Sequence, residues 1–304
     1  MSDRRHTGGV VMDLFRPWVW CAALTASAAA GAATLDPLFS NSFERGLVAF
    51  GPPLSALPQG ATNATSEPVA LTVALDGAAA APTVVSVVSG DPARLQVVGG
   101  GATVATGQTT ASVRLNALGY GGTPVVLRAA YGNTIGASVR IERAVNETDL
   151  ADEADYCILQ FPAFFSVAAN QQTPVIYSRL YEAGSTETPG AAPGWIAEVG
   201  YGPPANDPRT LVGWHFAAAT YNVQVGNDDE YRGTLTAPAT PGTYAYAARF
   251  SRDDGGSWTY CDLDGAGSNA GLTFATGQLG SMTVTAAEPA GKRADATIDP
   301  SYSP

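Results

Sequence analysis

Gly242 to Leu263 reads GTYAYAARFSRDDGGSWTYCDL, and this stretch decides the fold. Tyr244 and Tyr246 stand two residues apart, the spacing at which side chains leave a strand on one face. Asp253-Asp254-Gly255-Gly256 is a dense turn signal, and Thr240-Pro241-Gly242 is another. These signals place Tyr244–Phe250 and Trp258–Cys261 on consecutive antiparallel strands, a hairpin, with Trp258 and Tyr260 sharing a face.

Cys261 lies on the second strand of that hairpin, and its natural partner lies far upstream. The chain has three cysteines, Cys21, Cys157 and Cys261, and Cys21 belongs to an apparent export signal. With two cysteines left after export, only one pairing exists. A bridge from Cys157, on a strand Tyr156–Phe161, to Cys261 would tie the ends of a segment holding Trp195, Trp214 and Trp258. In the chain-entropy description a closed loop of roughly 100 residues contributes up to about 4.7 kcal/mol, with about 2 to 4 more typical of measurement.

The export reading rests on the first residues. Arg4, Arg5 and Arg16 precede WVWCAALTASAAAGAA (Trp18 to Ala33), an uncharged run of small and apolar residues with the tripartite form of a secretory signal. Cleavage is expected after Ala30, Ala32 or Ala33, and translation starts at Met1 or Met12. The run falls short of the roughly 20 apolar residues that span a bilayer. Trp20, before Cys21, is too large for a lipoprotein signal. The mature protein is therefore expected to be secreted, periplasmic or extracellular, without membrane insertion, where a disulfide persists.

Charge excludes one large class of partner. The chain carries −11, and loss of residues 1–33 removes three basic and two acidic residues, leaving −12. No Lys/Arg cluster remains, so no nucleic-acid partner is expected, because a phosphate backbone needs a basic groove. Gly, Pro, Thr, Val and Ala dominate a chain with only 14% charged residues, a balance that suits strands joined by tight turns.

The expected organisation is all-β, two immunoglobulin-like or fibronectin-like β-sandwich domains in tandem after the signal peptide and a linker. Residues 34–66, with GPPLSALPQGATNATSEP, read as a flexible linker. Residues 67–143 read as short strands: Val69–Leu75, Thr83–Val88, Leu95–Val98, Ala111–Ala117, Pro124–Ala130 and Ala137–Glu142. Residues 145–287 form a second, aromatic-rich sandwich that opens with Tyr156–Phe161 and continues through Val175–Tyr181, Trp195–Tyr201, Trp214–Tyr221, Glu230–Leu235, the hairpin and Gly280–Ala286. Residues 288–304 read as a disordered, proline-punctuated tail.

Two resemblances accompany that organisation. LTVALDGAAAAPTVV, SGDPARLQV and ATGQTTASVRLNALGYGGTPVVLRAAYG, in that order, resemble the bacterial immunoglobulin-like (Big) domains, which implies a structural spacer without catalytic residues. PGAAPGWIAEVGYGP, GWHFAAATYNVQVGNDDEYRGTL and GTYAYAARFSRDDGGSWTYCDLDG resemble an ancillary β-sandwich module of bacterial exported multidomain proteins, some of them amylolytic enzymes. LFSNSFE near residue 40 is similar to a run near the mature N-terminus of many proteobacterial exported proteins.

Binding, if specific, is expected in the second unit. Trp195 follows the loop Gly190–Gly194 and Trp214 follows a loop rich in Pro and Asn, so these two, with Tyr201, are the candidate residues of a sugar-stacking rim. Asn227-Asp228-Asp229-Glu230, Asp262 and Asp264 read as turn caps, because position twelve from Asp262 is Thr273 and lacks the closing carboxylate of a calcium loop. No metal or cofactor is expected. His215 is the one histidine after export, and no G-x-S-x-G elbow accompanies it, so the chain reads as not an enzyme. The partner classes that remain are a polysaccharide or another cell-surface component. The alternatives are a purely structural spacer and an accessory subunit of a secreted polysaccharide hydrolase.

Overall fold

Alternating apolar residues build the first half of the structure. The computed structural model describes residues 46–145, 153–268 and 272–287. The expected signal peptide and the expected disordered tail lie outside these residues. Among the described residues the chain is all-β, with short 3-10 turns and no α-helix.

Strand β1 (Leu47–Gly51) pairs antiparallel with β3 (Thr72–Leu75), which pairs with β7 (Thr110–Ser112). The facing sheet runs β2 (Leu54–Pro58), β10 (Asn133–Val145), β9 (Gly121–Tyr131), β4 (Thr83–Ser89) and β6 (Gly101–Val104). A short pair, β5 (Leu95–Val97) with β8 (Leu115–Ala117), closes one side. Leu47, Phe50, Val73, Val85, Leu127, Val139 and Ile141 are buried together in one aliphatic core. The alternation in β9 sends Val125, Leu127 and Ala129 inward while Val126, Arg128 and Ala130 stay exposed.

Two sequence expectations change here. Part of the stretch taken as linker, Leu47–Pro58, is two strands that supply Leu47, Phe50 and Leu57 to the core. The prolines of this stretch lie where ladder donors are not required: Pro52-Pro53 separate β1 from β2, and Pro58 ends an edge strand. The expected strand Ala111–Ala117 is divided, because β7 pairs with β3 while β8 crosses over to β5.

The second half begins at β11 (Tyr156–Phe161). One sheet runs β11, β13 (Ile176–Tyr181), β16 (Asp228–Gly233) and β15 (His215–Val225). β15 is long enough to leave it and pair with β14 (Ile196–Gly202), followed by β17 (Gly242–Ser251) and β18 (Ser257–Cys261). β19 (Gly280–Thr285) and the edge strand β12 (Phe164–Ala168) extend β17. The predicted hairpin is present, with Ala248 opposite Cys261 and Phe250 opposite Thr259. Cys157 and Cys261 are joined, their Cα atoms 5.5 Å apart and their sulfurs buried in the second core.

The boundary expected near residue 144 falls inside a strand. β10 continues past the first sandwich, and its last residues, Arg143–Val145, pair in parallel with Ser257–Thr259 of β18. One sheet therefore passes from the first core into the second, and the described residues belong to a single compact unit. Gly122 shows how tight the seam is: a Cβ there would lie 2.3 Å from the carbonyl oxygen of Asp253 in the β17–β18 turn.

Candidate functional site

The seam is built from a strand that is apolar on both faces. Along β17, Tyr244, Tyr246, Ala248 and Phe250 face the disulfide core, while Ala245 and Ala247 face a smaller core around Trp214. Arg249 shares this second face and is 3% exposed. A guanidinium in that position must be paired, because an isolated buried charge is strongly unfavourable. Its Nη1 donates to Glu142 Oε2 of β10 at 2.7 Å and to the Tyr260 hydroxyl at 3.0 Å. Its Nε and Nη2 both donate to Glu198 Oε2 of β14, at 2.8 and 2.6 Å. The planar group is held between the Phe216 and Trp258 rings, 3.7 and 3.9 Å from their centroids.

This cluster shifts its own titrations. Burial opposes the Arg249 charge, but the neighbouring carboxylates and phenol outweigh it and hold the guanidinium protonated. Burial pushes the Glu142 carboxyl above its ordinary range against the pull of Arg249. The Tyr260 phenol, also buried, is pushed up to about 12. Glu142 belongs to the first sandwich and Arg249 to the second, so the ion pair clamps the seam.

Beside the clamp opens a cleft of about 190 Å3. β2 and the residues after it supply Ser55 and Glu67, β10 supplies Arg140, and the other wall is Trp214, His215 and Phe216. The loop before Trp214 is shaped by Asp207, whose carboxylate caps the 3-10 turn Pro208–Thr210 and pairs with Arg209 at 2.7 Å. Leu211 then turns at φ +64°, and the Gly213 N–H donates to Glu67 Oε2 at 3.2 Å. Burial lowers the His215 pKa, partly offset by Glu67.

The three expected rim residues do not form a rim. Trp214 is 1% exposed, with its Nε1 donating to the Asn206 carbonyl at 3.0 Å and its ring stacked on Phe216. Phe216 in turn has Arg249 against its ring, so these aromatic surfaces are already engaged. Trp195 is packed in the disulfide core with Arg252 over its ring at 5.7 Å. Tyr201 is half-buried, stacked on His215 at 5.2 Å and edge-on to Tyr244. Both rings pack inward, Trp214 in the smaller core at the cleft and Trp195 in the disulfide core away from it.

A stacked, exposed aromatic pair lies on the outer face of the β11-β13-β16-β15 sheet. Phe161, 49% exposed, stacks on Tyr177 with centroids 4.4 Å apart. Tyr177 is the cross-strand partner of Arg232, and Arg232 is opposite Thr220. Val175, Ala218, Thr220, Arg232 and Thr234 line a groove of about 300 Å3. In the next row Glu230 accepts from Asn222 Nδ2 at 2.6 Å. Alternation placed Tyr177 outside its own core, but β11 changes register between Leu159 and Phe161, and that irregularity aligns Phe161 with Tyr177.

Of the expected turn caps, Asp262, Asp264 and Asp229 cap loops, whereas Asp228 and Glu230 lie on β16 and face Arg179 and Asn222. Asp262 accepts from the N–H groups of Asp264 and Ala275, Asp264 from Ala266, and Asp229 from Ala192. Among the described residues no group of three His, Cys, Asp or Glu side chains is placed to hold a metal. His215 makes no side-chain hydrogen bond among them, so no nucleophile is paired with it. No described helix is long and apolar enough to cross a membrane.

The seam residues Arg249, Glu142 and Glu198 were missed by sequence reasoning. The local sequence AYAARF does not distinguish Arg249 from Arg128 in VVLRAA, which stays exposed on β9.

No family model and no curated protein matches the chain. Domains 4 and 5 of the S-layer protein SbsC align with 75% of this chain and 92% of theirs, at 14% identity and a TM-score of 0.22. The tandem Ig repeats of Dlar align with 80% of this chain and all of theirs, at 10% identity and a TM-score of 0.25. SGBP-B of the Bacteroides ovatus mixed-linkage glucan utilization locus, solved in complex with a mixed-linkage heptasaccharide, aligns with 77% of this chain and 45% of its own, at 14% identity and a TM-score of 0.21. At these identities and scores the likeness carries nothing about ligand or activity.

Proposed function

We propose that the chain is an exported, non-catalytic β-sandwich protein of the cell surface that contacts a polysaccharide. One observation carries this reading: the exposed Phe161–Tyr177 stack beside the Arg232 groove. A flat aromatic surface suits the apolar face of a pyranose, and the adjacent Arg232 and Thr220 supply donors and an acceptor for its hydroxyls. The buried disulfide supports export, since such bridges persist in oxidising compartments. The non-catalytic part rests on the seam, where a permanently charged guanidinium engages both Glu142 and Glu198.

Affinity electrophoresis of the full chain through gels cast with soluble polysaccharides tests the reading. Retardation by at least one neutral polysaccharide is expected, weakened about tenfold, or roughly 1.4 kcal/mol, in Tyr177→Ala and in Phe161→Ala. Migration unaffected by every polysaccharide, or retardation identical in the double variant, would leave the structural spacer reading in its place.

A further inference from the structure

The groove uses neither of the polar atoms that the seam leaves unanswered. Ser55 is 4% exposed, lines the cleft, and its Oγ has no hydrogen-bond partner. Arg140 lines the same cleft, and its buried Nε–H is also unpartnered. Leaving such groups unpaired costs about 1 to 3 kcal/mol each, so native structures seldom keep them without a partner. Around them stand acceptors with spare capacity. Glu198 uses one oxygen, Oε2, for both of its Arg249 contacts, and Glu67 uses Oε2 for the Gly213 N–H.

We infer that this seam cleft is a second binding site, one that takes a single ring of a neutral sugar. The donors Arg140 and Ser55 and the acceptors Glu198, Glu67 and Ser55 line one small space. A ring polyol matches that mixture, because every hydroxyl both donates and accepts. An anion would meet three carboxylates, Glu67, Glu142 and Glu198, while a cation would face Arg140 and Arg249. Size restricts the occupant further. An apolar cavity of about 150 Å3 takes one benzene ring, and at about 190 Å3 the cleft holds about one substituted six-membered ring. Leu54 and Leu211 give the carbon skeleton apolar surface. The ligand class follows the carbohydrate reading given above, but the site and its residues are independent of the groove.

The test uses the full, disulfide-bonded chain and methyl glycosides of the common neutral hexoses, followed by saturation-transfer NMR and tryptophan fluorescence, with ethanolamine and inorganic phosphate as charged probes. Saturable binding of at least one glycoside is expected, with affinity reduced about tenfold in Ser55→Ala and in Glu67→Gln and unchanged in Arg128→Ala on the exposed face of β9. Absence of saturable glycoside binding overturns the inference. So does binding that both Ser55→Ala and Glu67→Gln leave unchanged, or a Ser55-dependent response to ethanolamine or phosphate in place of the glycosides. Polysaccharide retention lost in Tyr177→Ala together with no glycoside binding sinks the cleft alone. Ser55-dependent glycoside binding without polysaccharide retention sinks the groove alone.

Discussion

β9 and β17 are both long strands at the middle of their sheets, and they differ in what lies behind them. β9 packs one face on the aliphatic core and leaves Val126, Arg128 and Ala130 exposed. β17 is buried from Ala245 to Ser251, with the disulfide core on one side and the Trp214 layer and the first sandwich on the other. An arginine on the outward face of β9 is a solvated surface group. Its counterpart on β17, Arg249, is a buried cation with two carboxylate partners. Strand alternation states which side chains share a face, and it leaves open whether the other face meets water.

The largest expected break of that contrast is Arg249→Leu. It leaves Glu142 buried without its partner, and a loss of about 3 to 5 kcal/mol in urea unfolding is expected. Arg128→Leu on β9 should stay within about 0.5 kcal/mol, as surface changes do. Adding Glu142→Leu to Arg249→Leu should recover part of the loss; a further loss instead would show that the seam depends on the carboxylate in some other way.

Next in size is the bridge. Cys157→Ala with Cys261→Ala removes the link across a separation of 104 residues, and about 2 to 4 kcal/mol should be lost. Hydrogen exchange should quicken first in β11 and β18, with β9 and β4 following only as the seam opens. Equal acceleration in both halves would mean that the shared sheet, and not the bridge, sets the stability of the second core.

The smallest effect contrasts two glycines. Gly122→Ala places a Cβ 2.3 Å from the Asp253 carbonyl at the seam, whereas at Gly136 on β10 the nearest atom is 3.8 Å away. A loss of about 1 to 3 kcal/mol is expected for the first, as for other overpacked sites, and a change within about 0.5 kcal/mol for the second. Thermal unfolding of both variants checks this, and equal midpoints would show that the turn yields.

Much of the fold was legible. The hairpin at Gly242–Leu263, the Cys157–Cys261 pairing and the strand Tyr156–Phe161 all rest on local pattern or on elimination, and the structure contains each of them. Leu47–Pro58 was not legible as strand, since its prolines mimic a linker and its pairing partners, in β3 and β10, lie further along the chain. The candidate site was less legible still. Trp214 was expected on a binding rim, but its burial depends on a loop and a layer that no local spacing announces. The Phe161–Tyr177 stack needs a register shift, and β-irregularities of one residue leave little trace in composition.

By itself the sequence determined the all-β class, the disulfide, the hairpin and the face of strand residues away from register irregularities, because period-two alternation and turn chemistry are local. Only the tertiary structure decided that β10 serves both cores, that Arg249 is clamped at their seam, and which aromatics meet solvent. The β10–β18 pairing joins residues more than 100 positions apart through backbone groups that every amino acid except proline offers alike. Burial of a strand's second face depends in turn on what another part of the chain lays over it.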